Sequence, residues 1–374
     1  MLLNGGSCGN ITDIIVRSGP GMSIFFFVAA VAGNLLALFI LGVAQRRRSS
    51  KPSAFCILVT GLVVTDLLGT CLLSPPVFVC YAQQQSLLGL TGDRSLCDLF
   101  GFAMTFFGLA PMFILTAMAV ERCLAVCRPY LYEQLARRFF TRLALLLIYL
   151  FSAAFCLLPF AGVGRHRQYC PGTWCFIDMS GGRGGAAGLA FSLSYSSLMA
   201  LLIGVVFVCN GAVIVALCRM HRSQRTRRGS VVSGRGAGSR RRALGWFGQG
   251  EEELDHLMLL ASMTLIFVVC SLPLTIAGFI NAVRPLADDE GNLTAFRFHA
   301  FNPIVDPWVF IICRKSVLRH FYLLLRCRLA RCGVRTAAAS APSCTPARSQ
   351  HLGGPDPAGR PLTEGSPPGP GSRC

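Results

Sequence analysis

The chain has 374 residues, of which 53% are hydrophobic and only 14% charged, against about 25% charged in soluble globular proteins. A mean hydropathy of +0.56 over the whole length asks for lipid as solvent. The formal charge of +18 would suit a nucleic-acid partner only on a folded soluble surface, and here it falls in loops between apolar runs. A soluble enzyme, a secreted disulfide scaffold and a disordered polycation are excluded, and an integral membrane protein remains.

A membrane span needs about 20 mostly apolar residues. Behind an outer tail at 1–19, the pattern predicts spans at about 20–44, 54–81, 97–127, 141–163, 187–219, 254–283 and 293–313. The fifth lies in an uncharged stretch longer than a bilayer needs, and the seventh is the weakest because Arg297 and Asp306 fall inside it. The fold class expected is an all-α membrane protein, a seven-transmembrane helix bundle. Residues 314–327 place Val317, Leu318, Phe321, Leu324 and Leu325 at helical spacing among basic residues, which predicts a short amphipathic eighth helix on the inner leaflet. The tail at 328–374 is rich in Pro and Gly and cannot bury a core.

Orientation follows from Lys and Arg. With the N-terminus outside, inner loops and tail hold 27 of the 35 basic residues and outer segments hold 6. The first 20 residues lack the basic start and apolar core of a cleavable signal peptide, so the first span is expected to insert the chain by itself. The sequons at Asn10 and Asn292 both fall on the outer side, with Asn10 the glycosylation candidate and Asn292 close to the membrane. Cys8, Cys97, Cys170 and Cys175 lie on the oxidising side and allow three pairings, between which the sequence does not choose. Cys327 and Cys332, beside the amphipathic segment, are either acylation sites or plain thiols.

Charges inside a bilayer are costly, so those retained are functional candidates. Asp66 and Asp306 are expected to face each other across the bundle interior through water or an ion, or else to make a structural polar contact. Glu121-Arg122 closes the third span. Neighbours on a helix do not face each other, so Arg122 is expected to reach another helix, with Glu253 or Asp255 at the foot of the sixth span as partner. Arg297 is the cation of the outer half and no acid there matches it. Its fork fits a carboxylate, so the cavity asks for an amphiphilic acid from outside; the competing reading is a side chain that snorkels to the interface.

Gly33-Asn34, Leu62-Val63-Val64-Thr65-Asp66, Glu121-Arg122-Cys123, Cys270-Ser271-Leu272-Pro273 and Asp306-Pro307-Trp308-Val309-Phe310 resemble a rhodopsin-like G-protein-coupled receptor. The outer-loop string Gln168 to Ile177 (QYCPGTWCFI) and the run from Arg297 to Trp308 narrow the resemblance to the prostanoid receptors, over about residues 20–325. Within that family, strings such as Ser86 to Leu90 and Ala117 to Ala125 are most similar to the branch that answers to prostacyclin. The branches for prostaglandins E and D that raise cyclic AMP are the neighbours.

The resemblance implies that Arg297, Tyr81 and Thr173 hold a prostanoid carboxylate and that Phe100, Met104, Trp174 and Phe296 line an apolar channel. It implies bridges Cys97–Cys175 and Cys8–Cys170. It gives Glu121, Arg122, Asp66, Asp306, Pro307, Pro273 and Glu253 to activation and coupling, at the plasma membrane. The partners implied are a stimulatory heterotrimeric G protein, arrestin, receptor kinases and membrane lipid.

Three departures stand out. Pro111 replaces a Ser of the relatives and removes a hydroxyl partner for a sodium ion near Asp66. Thr116 replaces an apolar residue. Cys374 ends the chain without a prenylation box. Rival classes fit less well: Asp66 and Asp306 lack the context of an intramembrane aspartyl protease, and seven dissimilar spans lack the repeats of an ion-coupled transporter. With no zinc-spaced cluster, phosphate loop or nucleophile elbow, neither enzyme activity, a cofactor nor a resident metal is expected.

Overall fold

A computed structural model describes residues 8–15, 19–47, 53–135, 138–179, 185–230, 262, 264–283 and 289–312. The expected amphipathic helix at 314–327, the tail, and Glu253, Asp255, Cys327, Cys332 and Cys374 lie outside the described residues.

Backbone N–H and C=O groups in hydrocarbon find no water, so each crossing must be helical. The long helices are α1 (Gly21–Arg47), α2 (Ala54–Gln83), α4 (Ser95–Cys127), α6 (Arg138–Cys156), α7 (Gly185–Ser230) and α8 (Thr264–Val283), all long and apolar enough to cross. Short helices α3 (Leu87–Thr91) and α5 (Pro129–Leu135) join α2 to α4 and α4 to α6. Two strands, β1 (His166–Tyr169) and β2 (Trp174–Ile177), pair antiparallel between α6 and α7. Helices α9 (Asp289–Ala300) and α10 (Asn302–Ile312) close the bundle.

Three boundaries differ from the sequence expectation. The fourth span, expected to 163, ends as an α-helix at Cys156, and a 3-10 turn at Leu158–Ala161 follows. Pro159 has no N–H to continue the ladder, and Gly162 at φ +88° turns the chain away. The fifth continues helically as backbone to Ser230, where 219 was expected. The seventh is two helices broken at Phe301, because Pro303 cannot donate and suits the first turn of a new helix. Neither α9, with 12 residues, nor α10, with 11, could cross alone.

The break is bound into the protein. Asn34 Nδ2 donates to Pro303 O at 2.9 Å and to Ala30 O at 2.9 Å, joining α1 to α10. Gly33 beside it lets α10 close in: a Cβ there would sit 2.8 Å from Trp308 Nε1 and 3.1 Å from Pro307 Cγ. Helix α4 is the axis of the bundle and packs on α2, α6, α7 and both strands. Its buried residues, among them Leu109, Met112 and Ile114, form the core with Leu58 and Leu62 of α2, Met199 of α7 and Phe310 of α10. Exposed apolar side chains such as Phe25, Phe39, Leu72, Leu147, Phe207 and Ile280 lie on the outer faces, where a lipid solvent accepts them.

The strands and the N-terminal segment form a roof. Cys97–Cys175 ties the hairpin to the top of α4, and Cys8–Cys170 ties the N-terminal segment to the hairpin. Gln168 Nε2 donates to the carbonyls of Cys8 (3.1 Å) and Ile11 (3.0 Å). Ser86, the N-cap of α3, accepts from Gly89 N and donates to Ile11 O at 2.6 Å. Ile15 N and Leu87 N, each 3.0 Å from its acceptor, donate to Pro171 O and Gly172 O.

Gly33→Val should cost about 1–3 kcal/mol by forcing α1 off α10. Thermal unfolding of the detergent-solubilised protein reads this as a lowered midpoint. Gly42→Ala in the same helix, where a Cβ meets nothing within 4 Å, should be neutral or slightly stabilising.

Candidate functional site: a roofed cavity with one cation

Beneath the roof lies a cavity of about 240 Å³. Tyr81, Phe100, Met104, Thr173, Trp174, Phe296 and Arg297 all line it, so the structure gathers from α2, α4, the hairpin and α9 every residue expected to meet a ligand. Phe26 and Phe27 of α1, Leu73 and Val77 of α2 and Phe107 of α4 complete the apolar wall.

The roof side chains are fixed by ring stacking. Trp174 lies between Tyr169 (centroids 4.8 Å) and Phe296 (4.6 Å), and its indole N–H donates to Cys170 O at 2.8 Å. Tyr169, itself 1% exposed, donates its hydroxyl to Ile177 O at 2.7 Å and accepts from Met179 N at 3.1 Å. Under this rigid lid Arg297 is half-buried, and no carboxylate among the described residues pairs with it. A guanidinium in an apolar chamber without a counter-ion is costly, and its five donors can grip a carboxylate in two parallel bonds.

Farther in, the polar groups converge. Asp66 and Asp306 are both buried, and among the described residues both oxygens of Asp66 and Oδ2 of Asp306 have no hydrogen-bond partner. Pro111 lines the cavity beside Asp66 and leaves α4 without a donor there. Thr116 turns its hydroxyl back to Met112 O at 2.8 Å, which satisfies it within its own helix. Asn302 Nδ2 donates to Ser271 Oγ at 3.1 Å, and that hydroxyl lies 3.4 Å from Met112 Sδ, so α10, α8 and α4 are linked under the cavity floor. Pro273 lies two residues beyond this contact in α8, and Pro307 packs against Gly33. Among the described residues no group of three His, Cys, Asp or Glu is placed to hold a metal ion.

At the opposite end of α4 Arg122 meets Glu121, from which the spacing argument had set it apart, while Glu253 and Asp255 lie outside the described residues. It grips its own neighbour: Nε donates to Glu121 Oε2 at 2.6 Å and Nη2 to Oε1 at 2.9 Å. Two long side chains can curl around a helix end and meet although their Cα–Cβ bonds diverge. Tyr132 of α5 donates to Glu121 Oε1 at 2.8 Å, and burial, then Glu121, pushes its phenol up to about 12. Arg122 also lies over the Phe55 ring at 4.4 Å, which adds a cation–π contact to α2.

Of the two sequons, Asn10 is exposed, whereas Asn292 in α9 is buried with its Oδ1 accepting from Asn281 Nδ2 at 2.7 Å, which takes the second sequon out of reach of a glycosyl transfer. Sequence reasoning passed over His299, which is buried and lines the cavity. The signal that flags it is the one that flagged Arg297, an ionisable residue inside a span.

Comparison with known proteins places this architecture. The family "7 transmembrane receptor (rhodopsin family)" matches residues 33–310. The crystal structure of squid rhodopsin superposes with a TM-score of 0.67 at 14% identity, covering 86% of this chain and 94% of that one, and so shares the fold. The chain belongs to the rhodopsin family of seven-transmembrane receptors, which are not enzymes.

Its relatives lie in the prostanoid-receptor branch, and it belongs there. The prostacyclin receptor of Rattus norvegicus is 57% identical over 327 residues (87% of this chain, 74% of the relative). The Homo sapiens prostacyclin receptor is 54% identical over 323 residues (86% and 79%), and the Homo sapiens prostaglandin E2 receptor EP2 subtype 46% over 337 (87% and 90%).

The roof carries its own pH dependence. His166 is buried, with Nδ1 3.5 Å from Asp98 Oδ1 and its carbonyl accepting from Arg94 Nη2 at 3.0 Å. Burial pushes its imidazole below the ordinary value, with Asp98 pulling the other way. An unfolded His166 takes a proton as pH falls through about 6.5 while the folded one resists, so stability is retained above that pH and lost below it. The protection of the hairpin amides, corrected for the intrinsic pH dependence of exchange, should therefore fall between about pH 7.5 and pH 5.5 in the wild type, and His166→Gln should flatten that fall.

Proposed function

We propose that this chain is a plasma-membrane receptor for a prostanoid, prostacyclin in first place, with its N-terminus outside and its C-terminus in the cytoplasm. The observation that carries the reading is the Arg297 guanidinium, without a carboxylate partner among the described residues, beneath the roof of a largely apolar cavity. The ligand carboxylate takes the place of the missing counter-ion on Arg297, helped by the hydroxyls of Tyr81 and Thr173. Its apolar body lies among Phe100, Met104, Trp174 and Phe296. The names of the relatives support the choice of ligand, and a receptor for prostaglandin E, supported by the 46% identical E2 receptor, is the second reading.

Ligand binding acts through the floor. Packing against Met112 and Asn302 biases the Ser271 contact, and so the position of α8 relative to α4. At the inner face Glu121 holds Arg122, with Tyr132 holding Glu121; a G protein that takes up Arg122 must break this pair. The stimulatory class, which raises cyclic AMP, is the G protein proposed, with arrestin and receptor kinases acting on the inner loops and tail. Cys327 and Cys332 are the acylation sites proposed, and Asn10 the glycosylation site.

Cells displaying the chain should raise cyclic AMP when given a stable prostacyclin analogue, and Arg297→Ala should shift the response to about 100-fold higher concentration. Arg297→Lys should recover only part of the loss, because an ammonium cannot make the two parallel bonds. A response led by prostaglandin E replaces the first-choice ligand by the second. No response to any prostanoid at confirmed surface display contradicts the proposed coupling.

A further inference from the structure

Besides the Cys97–Cys175 bridge, the hairpin that roofs the cavity is seated on α4 by the ring of His166. That ring is 1% exposed and lies so close to Gly101 that a Cβ there would sit 2.5 Å from its Cγ and Cδ2. The Phe160 ring lies beside it, with centroids 5.8 Å apart. Nδ1 faces Asp98 Oδ1 at 3.5 Å, which fixes the ring proton there, and Nε2 is buried without a hydrogen-bond partner.

A second proton has no place in this cleft. On Nε2 it would be a buried donor set against a glycine and a phenyl ring, with its charge out of water. The charges around the ring pull in opposite directions. Asp98 attracts an imidazolium, whereas Arg94, whose Nη2 donates to His166 O at 3.0 Å, repels it. Arg165 and Asp178, at the free ends of the two strands, hold each other at 3.0 Å, and Arg167 lies over the Tyr169 ring at 5.3 Å. The Cys8–Asn10 turn also packs on β1 and brings no ionisable group, since Cys8 is bridged. The Asp98 side chain is 35% exposed, so an imidazolium gains both a counter-ion and water by leaving the cleft toward the rim.

What the ring seats is also what closes the cavity. His166 pairs with Ile177 across the hairpin, and the Ile177 carbonyl accepts from the Tyr169 hydroxyl at 2.7 Å. Tyr169 stacks on Trp174 and Trp174 on Phe296, the neighbour of Arg297. Thr173 and Trp174 both line the cavity from above.

We infer that His166 is a proton-binding site that controls how long the cavity holds its ligand: acid outside the cell draws the ring from the Gly101 cleft, the hairpin lifts Thr173 and Trp174, and the ligand is released. The receptor thereby responds to acidity as well as to its ligand. The inference rests on the reading that an amphiphilic acid occupies this cavity. A ring out in water takes a proton as pH falls through about 6.5, while the seated ring resists, so protons favour the lifted hairpin below that pH and not above it. At about pH 5.5 the bias is at most about tenfold. A ligand carboxyl, titrating like Glu near about 4.3, stays ionised on Arg297 throughout.

The test is the dissociation rate of a tritium-labelled stable prostacyclin analogue from membranes of cells displaying the full chain. In the wild type, release should be about five- to tenfold faster at about pH 5.5 than at about pH 7.5. His166→Gln, neutral at both, should bring the two rates to within about twofold of each other. Gly101→Ala, which drives the ring from its cleft, should make release fast at both pH values. His299→Gln, which removes the buried imidazole of the cavity wall, should leave the wild-type ratio standing.

A wild-type rate that does not change with pH overturns the site, and so does a ratio that survives both His166→Gln and Gly101→Ala. A ratio kept in His166→Gln and lost in His299→Gln overturns it too, because the proton then acts at the cavity wall. If the analogue does not bind displayed wild-type receptor, the prostanoid reading fails separately. Hairpin amide protection then decides for His166: a fall with pH in the wild type that His166→Gln abolishes sustains the site, and unchanged protection overturns it.

Discussion

Inside hydrocarbon a backbone polar group without an internal partner has nowhere to turn, and the architecture follows from that constraint. Six runs answer it as continuous helices. The seventh run breaks at Phe301, two residues before Pro303, and the carbonyl of Pro303 finds a partner on α1. Asn34 accordingly spends its amide on the Pro303 carbonyl, and Gly33 forgoes a side chain so that Trp308 and Pro307 can approach. The break at Phe301 then divides labour: α9 carries the cavity residues Phe296, Arg297 and His299, while α10 carries Asp306 and the contacts to α1.

The same economy explains the cavity. A roof held by two disulfides and by the hydrogen bonds of Gln168, Ser86 and Tyr169 leaves little freedom for Trp174 or Thr173 above the chamber. Preorganisation of this kind lowers the ordering cost of binding. Beneath it the wall is apolar, and the polar atoms without partners are gathered at His299, Asn302 and Asp66. Among the wall residues Arg297 is the one permanent charge on the side of the roof, so binding free energy there depends chiefly on whether the guest brings an anion.

Much of this was legible in the sequence because lipid imposes long apolar runs and makes each interruption conspicuous. Asp66, Glu121, Arg122, Arg297 and Asp306 stood out for that reason, and the string from Gln168 to Ile177 pointed to the family. What was not legible depends on side-chain reach and local breaks. Residue spacing along α4 said Arg122 should leave Glu121, but two flexible side chains at a helix end close a bidentate pair, and Tyr132 from α5 completes it. A hydropathy window smooths over Phe301 and over Pro159, so the broken seventh helix and the early end of the fourth were invisible to it. The burial of Asn292 required its partner Asn281, eleven residues away on another helix.

The central claim is that an uncompensated guanidinium, and not the apolar wall alone, selects the ligand. Competition by a prostanoid as its free acid and as its methyl ester, on displayed wild-type receptor, isolates that term, since the ester keeps the shape and removes the charge. The account predicts that the ester binds about 10- to 100-fold more weakly, the scale of a lost charge-assisted hydrogen bond. Equal affinity of acid and ester would contradict it, and would mean that Arg297 turns to the interface and leaves the cavity to bind by apolar contact alone.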